Sequence, residues 1–380
     1  MNLKKAIVCV TNDLTTDQRV RKTCMALMKC GYDVIETGRL LPDSMEFNPP
    51  YTIRRTKLGF NSGALFYAEY NIRLFFYLLF AKVDLIFSND LDTLPAAFLA
   101  SRIKRKKLIY DTHEYFTEMP ELVGRKRVQA IWKAFERTIF PKLNNIITVN
   151  DSIARLYAGE YHKEIHVVRN IPPAFHPEKI KSRTELGLPE DNMILILQGT
   201  GINIDRGAEE IVLAMKYMEN IMLLIVGSGD VLTKLKDMVR SEKLEEKVMF
   251  RPKMPFEELR QYTMNANLGL ALDKDTNLNY RFSLPNKLFD YIHSRIPVLA
   301  SDLPEIKEII EKYDIGFFIP NHTPQAIAET VNRIFENKSR YQTVKLNTGK
   351  AGKELSWENE EIKLLNVINN ANIQPVTSNF

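Results

Sequence analysis

The chain has 380 residues, 45% of them hydrophobic and 26% charged, with three cysteines and a net charge of +5. That length suits two domains of about 150–200 residues each, and the composition excludes a disordered, collagenous or disulfide-scaffold protein. Cys9, Cys24 and Cys30 sit near the N-terminus without metal-ligand spacing, so they read as reduced thiols of a cytoplasmic protein.

Taken from the start, Lys4 and Lys5 precede a short apolar run, Ala6–Val10, which Thr11-Asn12-Asp13 ends. A signal peptide needs a longer apolar region and a small-residue cleavage site, so this run is expected to be a buried first strand. Val83–Phe87, Lys107–Tyr110, Asn145–Val149 and Ile165–Val168 read as further buried parallel strands. Asp17–Cys30, Leu94–Ile103, Val128–Lys142 and Ser152–Tyr161 carry helical spacing between them, and Gly31 stands where a helix-ending glycine belongs. The alternation predicts a doubly wound parallel sheet.

Residues 1–170 hold 26 Lys and Arg against 18 Asp and Glu, a net of about +8, which leaves about −3 for the remainder. Arg102-Ile-Lys-Arg-Lys-Lys107 and Arg125-Lys-Arg127 belong to this basic half, as does the apolar segment bounded by Arg73 and Lys82. Such a half suits anionic lipid or a phosphorylated acceptor; a solvated basic face beside a buried helix is the plainer alternative. Leu74–Phe87 is broken by Lys82 and Asp84 and falls short of the roughly 20 residues that span a bilayer.

A hinge is expected within residues 171–190, after Asn170-Ile-Pro-Pro173. Beyond it Met193–Leu197, Ile221–Val226, Val248–Phe250, Leu268–Leu272, Val298–Ala300 and Phe317–Ile319 read as strands of a second sheet. Helices are expected at Ala208–Lys216, Asp230–Ser241, Phe256–Asn265, Lys287–His293 and Pro324–Glu336. Trp357–Leu365 again has helical spacing, and residues 371–380 read as a frayed tail. Two such sheets hold ligands at the carboxyl ends of their strands, and two edges facing one another would make a cleft.

Four segments carry chemistry. Gln198-Gly-Thr-Gly-Ile-Asn-Ile-Asp-Arg-Gly207 leaves a strand and enters a helix, so Gly199, Thr200 and Gly201 can bring backbone N–H groups to an anion while Arg206 adds a bidentate cation. A nicotinamide site is disfavoured because position 204 is Ile where a third glycine is needed; a plain turn is the structural alternative. In Asn279–Tyr291, Pro285 suits a helix entry with Ser283 as a capping hydroxyl, and Lys287 falls in the first turn. A lysine there opposes the helix dipole unless an anion binds, and Asp290 one turn on can accept two ribose hydroxyls. His113, in Leu108-Ile-Tyr-Asp-Thr-His-Glu114, follows a strand and could bond a sugar hydroxyl, polarise the reacting group or be structural. Asp90-Leu-Asp92 has the form of a metal–diphosphate motif, but helix capping by Asp90 or Asp92 is favoured, since two cationic cradles make a metal redundant.

Nearly the whole chain resembles the retaining GT-B glycosyltransferases of the large bacterial polysaccharide-assembly group, the family 4-like enzymes. The likeness runs through Asp17-Gln-Arg-Val20, Lys107–Glu114, Ile147–Ser152, Val168-Arg-Asn-Ile171 and Val226-Gly-Ser-Gly229, and is most specific at Ser283-Leu-Pro-Asn-Lys-Leu-Phe-Asp290 and Pro297–Asp302. It implies two facing Rossmann-like domains with an interdomain cleft: an acceptor-binding domain at 1–175, a nucleotide-sugar domain at 176–350, and a C-terminal helix with tail at 351–380 that crosses back to the first. It implies His113, Arg206 and Lys287 as catalytic residues, and Gly199, Thr200, Gly201, Ser283, Leu284, Asn286 and Asp290 around the donor. The implied partners are a nucleoside diphosphate sugar and a saccharide or lipid-linked acceptor, with no metal, no cofactor and no nucleic acid. A cytoplasmic place is implied, with peripheral attachment to the inner face of the cell membrane left open.

Three positions depart from the family. Phe282 stands where its other glutamate falls, Thr200 where its loop arginine falls, and Asp290 shortens its ribose glutamate. A non-catalytic sugar-nucleotide-binding subunit and a nucleotide-sugar epimerase on the same fold are the competing functions; a phosphorylase would need a lysine for pyridoxal phosphate in a context not found.

Overall fold

The computed structural model describes residues 3–373 except Thr16, Asp43 and 175–178. The expected boundary at 175/176 and the tail from 374 lie outside the described residues. The chain divides into two compact units: Met1–Asn170 with Glu360–Phe380, and Ile171–Asn359.

The first unit begins β1 (Lys4–Asp13), α1 (Gln18–Lys29), β2 (Tyr32–Leu40), β3 (Thr52–Lys57), α2 (Gly63–Phe80), β4 (Leu85–Asn89) and α3 (Asp90–Lys104). It continues β5 (Lys107–Thr112), α4 (Pro120–Val123), α5 (Lys126–Ile139), β6 (Asn145–Thr148), α6 (Asp151–Tyr161) and β7 (His166–Val167). All seven strands pair in parallel, in the order β3-β2-β1-β4-β5-β6-β7. The Asp17 carboxylate caps α1 by accepting from the Arg19 and Val20 amides. Ile7, Cys9 and Ile86 of the sheet pack under Phe66, Tyr70, Leu74 and Leu78 of α2. Ala96, Ala97 and Ala100 keep α3 slim enough to share that core.

The strands β2 and β3 are absent from the sequence-based expectation. Asp33, Glu36 and Arg39 interrupt β2 with charge, yet the Glu36 side chain is fully buried. Burial and a neighbouring charge on Asp17 hold Glu36 at about 7, against the pull of Tyr51 and Arg55. A strand that buries a carboxyl lacks the uninterrupted apolar run by which its neighbours are legible.

The second unit begins β8 (Met193–Gly199), α7 (Ala208–Ala214), β9 (Ile221–Gly227), α8 (Leu232–Ser241), β10 (Val248–Pro252), α9 (Phe256–Asn265) and β11 (Leu268–Ala271). It continues α10 (Leu278–Arg281), α11 (Asn286–His293), β12 (Val298–Ala300), α12 (Pro304–Tyr313), β13 (Gly316–Phe318), α13 (Pro324–Glu336) and α14 (Lys338–Glu354). Its six strands are parallel in the order β10-β9-β8-β11-β12-β13. Leu195 and Leu197 of β8 enter the core under α7 and α13, while Ile194 and Ile196 enter the core under α11 and α12. Both faces of the strand are therefore apolar, as a doubly covered parallel sheet requires.

The last helix, α15 (Trp357–Ile373), begins in the second unit, where the Trp357 amide donates to the Pro172 carbonyl. From Glu360 it belongs to the first unit: Glu361 takes the Lys29 ammonium at 2.6 Å, and Glu360 accepts from the Arg169 amide at 2.9 Å. Residues 371–373 continue this helix rather than forming part of a frayed tail. Among the described residues no helix is long and apolar enough to cross a membrane.

Candidate active site

In the second unit three loops leave the carboxyl edge of the sheet and lace together. The Gly199 carbonyl accepts from the Ser228 amide, and the Ile202 amide donates back to the Ser228 carbonyl, each at 3.0 Å. Gly227 has φ +136, and a Cβ there would fall on the Gly199 carbonyl, so close approach of the two strand ends demands glycine. Gly207, at φ +74, likewise abuts the Leu272 backbone and fixes the turn that carries Arg206.

Arg206 stacks its guanidinium 4.2 Å over the Tyr280 ring and donates from Nη1 to Oδ1 of Asp273 at 2.8 Å. Lys287, in the first turn of α11, brings its ammonium to 3.4 Å from the other oxygen of the same carboxylate. The Asp273 side chain is fully buried. Burial alone would raise its pKa, but Lys287 and Arg206 reverse that and hold it below the usual carboxylate range. Two cations thus share one anion, and the cluster keeps a surplus positive charge. No side chain caps α11, so its first-turn amides add to that positive end. This corrects the capping expected from Ser283, whose hydroxyl instead donates to the Tyr280 carbonyl at 3.0 Å.

Asp290 lies one turn beyond Lys287 and is mostly buried. It accepts at Oδ2 from Gln198 Nε2 at 3.1 Å, and Thr263 in turn donates to Gln198 Oε1 at 2.7 Å. That relay orients the carboxylate at the end of β8. Thr200, Gly201 and Asn286 are exposed around the cluster, with Ser283 and Leu284 half-buried beside it. Asp273, Tyr280 and Gln198 were missed from sequence, although Asp273 directly follows an apolar strand, the same signal that singled out His113.

In the first unit a second polar cluster occupies the ends of β4 and β5. His113 Nδ1 lies 3.3 Å from Asp90 Oδ2, and Nε2 lies 3.1 Å from Asn89 Oδ1 and 3.5 Å from Asp111 Oδ2. Asp111 is gripped by Arg19 through Nε at 2.9 Å and Nη2 at 2.6 Å, while Nη1 of Arg19 donates to the Val168 carbonyl. Burial works against charge on His113, but the Asp90 and Asp111 carboxylates outweigh it and push the imidazole up to about 9. With both ring nitrogens facing acceptors, His113 is an imidazolium at neutral pH and not a proton acceptor.

The Asp-x-Asp pair does not cap α3, contrary to expectation. Asn89 is the N-cap residue and makes no side-chain cap bond. Asp90 sits at φ +58 with its carboxylate accepting the His113 amide at 2.9 Å, and Asp92 accepts from the Thr11 hydroxyl at 2.5 Å. Among the described residues no group of three His, Cys, Asp or Glu side chains is arranged to hold a metal ion.

A pH experiment tests the state of His113. Its pKa rises from 6.5 to about 9 on folding, so its stabilisation is complete below about 6.5 and disappears as pH climbs through about 9. The span corresponds to about 3 kcal/mol at most. Urea unfolding across that window should show the wild type losing this increment relative to His113→Gln; parallel curves would refute a charged His113.

Comparison with known proteins follows the same division of the chain. Residues 18–171 match the family described as Glycosyltransferase Family 4, and residues 178–351 match Glycosyl transferases group 1. An uncharacterised glycosyltransferase of Methanocaldococcus jannaschii is 23% identical over 354 residues, covering 88% of each chain. Sucrose-phosphate synthase from Thermosynechococcus elongatus superposes with a TM-score of 0.77 at 17% identity, over 98% of this chain and 100% of that one. HepE of Anabaena, in a complex with UDP-glucose, gives 0.74 at 14% identity, over 97% and 100%.

Proposed function

The chain belongs to the GT-B glycosyltransferases, and we propose that it moves a sugar from a nucleoside diphosphate donor to a saccharide or lipid-linked acceptor hydroxyl with retention at the anomeric carbon. The observation that carries this proposal is the meeting of Arg206 and Lys287 on the single buried carboxylate of Asp273. A diphosphate arriving there meets a guanidinium, an ammonium and the uncapped end of α11, which oppose part of its charge, and we assign it no metal and no prosthetic group. HepE binding UDP-glucose supports a uridine diphosphate sugar as the first donor to try.

In the reaction the bond from the anomeric carbon to the diphosphate oxygen breaks, and the acceptor oxygen bonds to that carbon on the same face. The acceptor proton passes to the departing phosphate oxygen, so no enzymic nucleophile is required. Arg206, Lys287 and the α11 amides stabilise the negative charge growing on the leaving group, which is where preorganised donors contribute most. Asp290, oriented by Gln198 and Thr263, serves the ribose hydroxyls. His113 supplies positive charge on the acceptor-binding unit and stays protonated while doing so. Assembly of a surface polysaccharide or glycolipid is the setting that fits such an acceptor.

Thermal unfolding with UDP, GDP, ADP and dTDP tests the donor class. A ligand at one hundred times its dissociation constant stabilises by about 2.7 kcal/mol, so one of these nucleotides should raise Tm clearly. The rise should vanish in Arg206→Ala, and failure of all four would remove the donor assignment. Release of UDP from UDP-glucose separates an enzyme from a non-catalytic binding subunit, which would bind the nucleotide sugar and release none.

A further inference from the structure

One face of α14, in the half of the sequence that is net acidic, gathers positive charge that the fold leaves unanswered. Lys345, Lys350 and Lys353 of that helix, with Arg295 from the turn that ends α11, surround a cavity of about 370 Å³. Among the described residues no acidic side chain lines it, and none of the four cations forms an ion pair. Other cations of the second unit keep acidic partners: Lys216 has Glu242, Lys234 has Glu209, Lys247 has Glu219 and Lys307 has Asp302. Lys350 and Lys353 stand three apart on the helix, a like-charge spacing that costs stability rather than adding to it.

Gly349 forms part of the same cavity wall. Glycine inside a helix is destabilising relative to alanine, because it has more freedom to lose on folding. Packing does not demand it here. A Cβ at position 349 would meet only the Arg295 stem, with Cδ at 3.9 Å and Nε at 4.0 Å, which is ordinary contact. What the missing side chain provides is room between α14 and the Arg295 guanidinium. A helix that carries both a like-charge pair and an interior glycine at one spot departs twice from local preference, as functional surfaces do.

The lining selects the occupant. Leu346, 70% exposed, is its one large apolar side chain, and it holds no aromatic ring. A single-stranded nucleic acid would lack a stacking platform there, and a lipid surface would lack an apolar face to bury. A second copy of the same face would set like charges against each other. The volume falls at the small end of ligand pockets, which run from about 300 to 1,000 Å³. Four cations around so compact a space suit an ion that carries several phosphoryl groups close together.

We propose that Arg295, Lys345, Lys350 and Lys353 form a binding site for a small, multiply phosphorylated anion, separate from the donor cradle. Lys287 stands in the first turn of α11 and Arg295 just past its end, so the two sites lie about 12 Å apart along that helix. Neither assignment depends on the other. Titration calorimetry of the full chain with inorganic tripolyphosphate at low salt tests the site. The wild type should bind, and Lys350→Glu with Lys353→Glu should weaken one site per chain about tenfold or more. Gly349→Leu, which fills the cavity and removes no charge, should weaken the same site. A diffuse basic field would feel the glutamates but not the leucine. Arg206→Ala should keep this site, and Gly349→Ala should fold with an equal or higher Tm as the control for the helix. No binding by the wild type, loss of all binding in Arg206→Ala, or wild-type affinity in Gly349→Leu would each overturn the proposal.

Discussion

Arg206→Ala and Lys287→Ala should each lower the rate of sugar transfer by about a hundredfold to a thousandfold, the loss expected when one preorganised donor to a developing anion is removed. Both side chains reach the same carboxylate, so both are held where one diphosphate can replace or share it. Arg206→Lys should not rescue, because the point charge of an ammonium neither stacks on Tyr280 as guanidinium does nor donates as a fork. The double variant should be less than multiplicative, since the two groups act on one leaving group. Near-normal turnover in both single variants, with the fold intact by circular dichroism, would end the assignment.

The second large effect is on stability. Arg19→Ala or Asp111→Ala should cost up to about 3–5 kcal/mol, because each removes one half of a buried bidentate pair, and in Arg19→Ala the His113 ring at 3.5 Å is the cation still facing Asp111. The side chains of this pair are 5% and 2% exposed, and its two hydrogen bonds are charge-assisted and bidentate. Arg340 and Asp314 pair with the same chemistry but are 42% and 45% exposed. Arg340→Ala should therefore cost no more than about 1 kcal/mol. Urea midpoints at constant m-value compare the two directly; equal losses would mean burial is not what makes the Arg19 pair matter.

How far the residues could be read in advance depends on what each one signals locally. Continuous apolar runs such as Met193–Leu197 announce a strand covered on both faces, and the parallel sheets follow from them. Arg206 and Lys287 could be singled out as candidates because one precedes a helix in a loop after a strand and the other lies in the first turn of a helix, places suited to anions; the structure brings both to Asp273. Asp273 was not singled out, since a carboxylate closing an apolar run looks like the start of any loop. Its meaning appears only when residues 206, 273 and 287 meet in space. Asp90 misled for a different reason. Capping grammar assigns an aspartate at a helix start to the helix amides, but at φ +58 its carboxylate turns instead to the His113 amide. The exposed side of α2 was equally ambiguous, because an apolar helical stripe in sequence does not say whether protein covers it.

The helix α15 makes the polypeptide non-modular. Its residues from Glu360 onward complete the first unit, so a gene cut at Asn170 yields an N-terminal fragment missing its own Glu360 and Glu361. Chimaeras that exchange halves between relatives would have to move the last segment together with the first, and co-expressing the severed pieces would require the final helix to be supplied in trans.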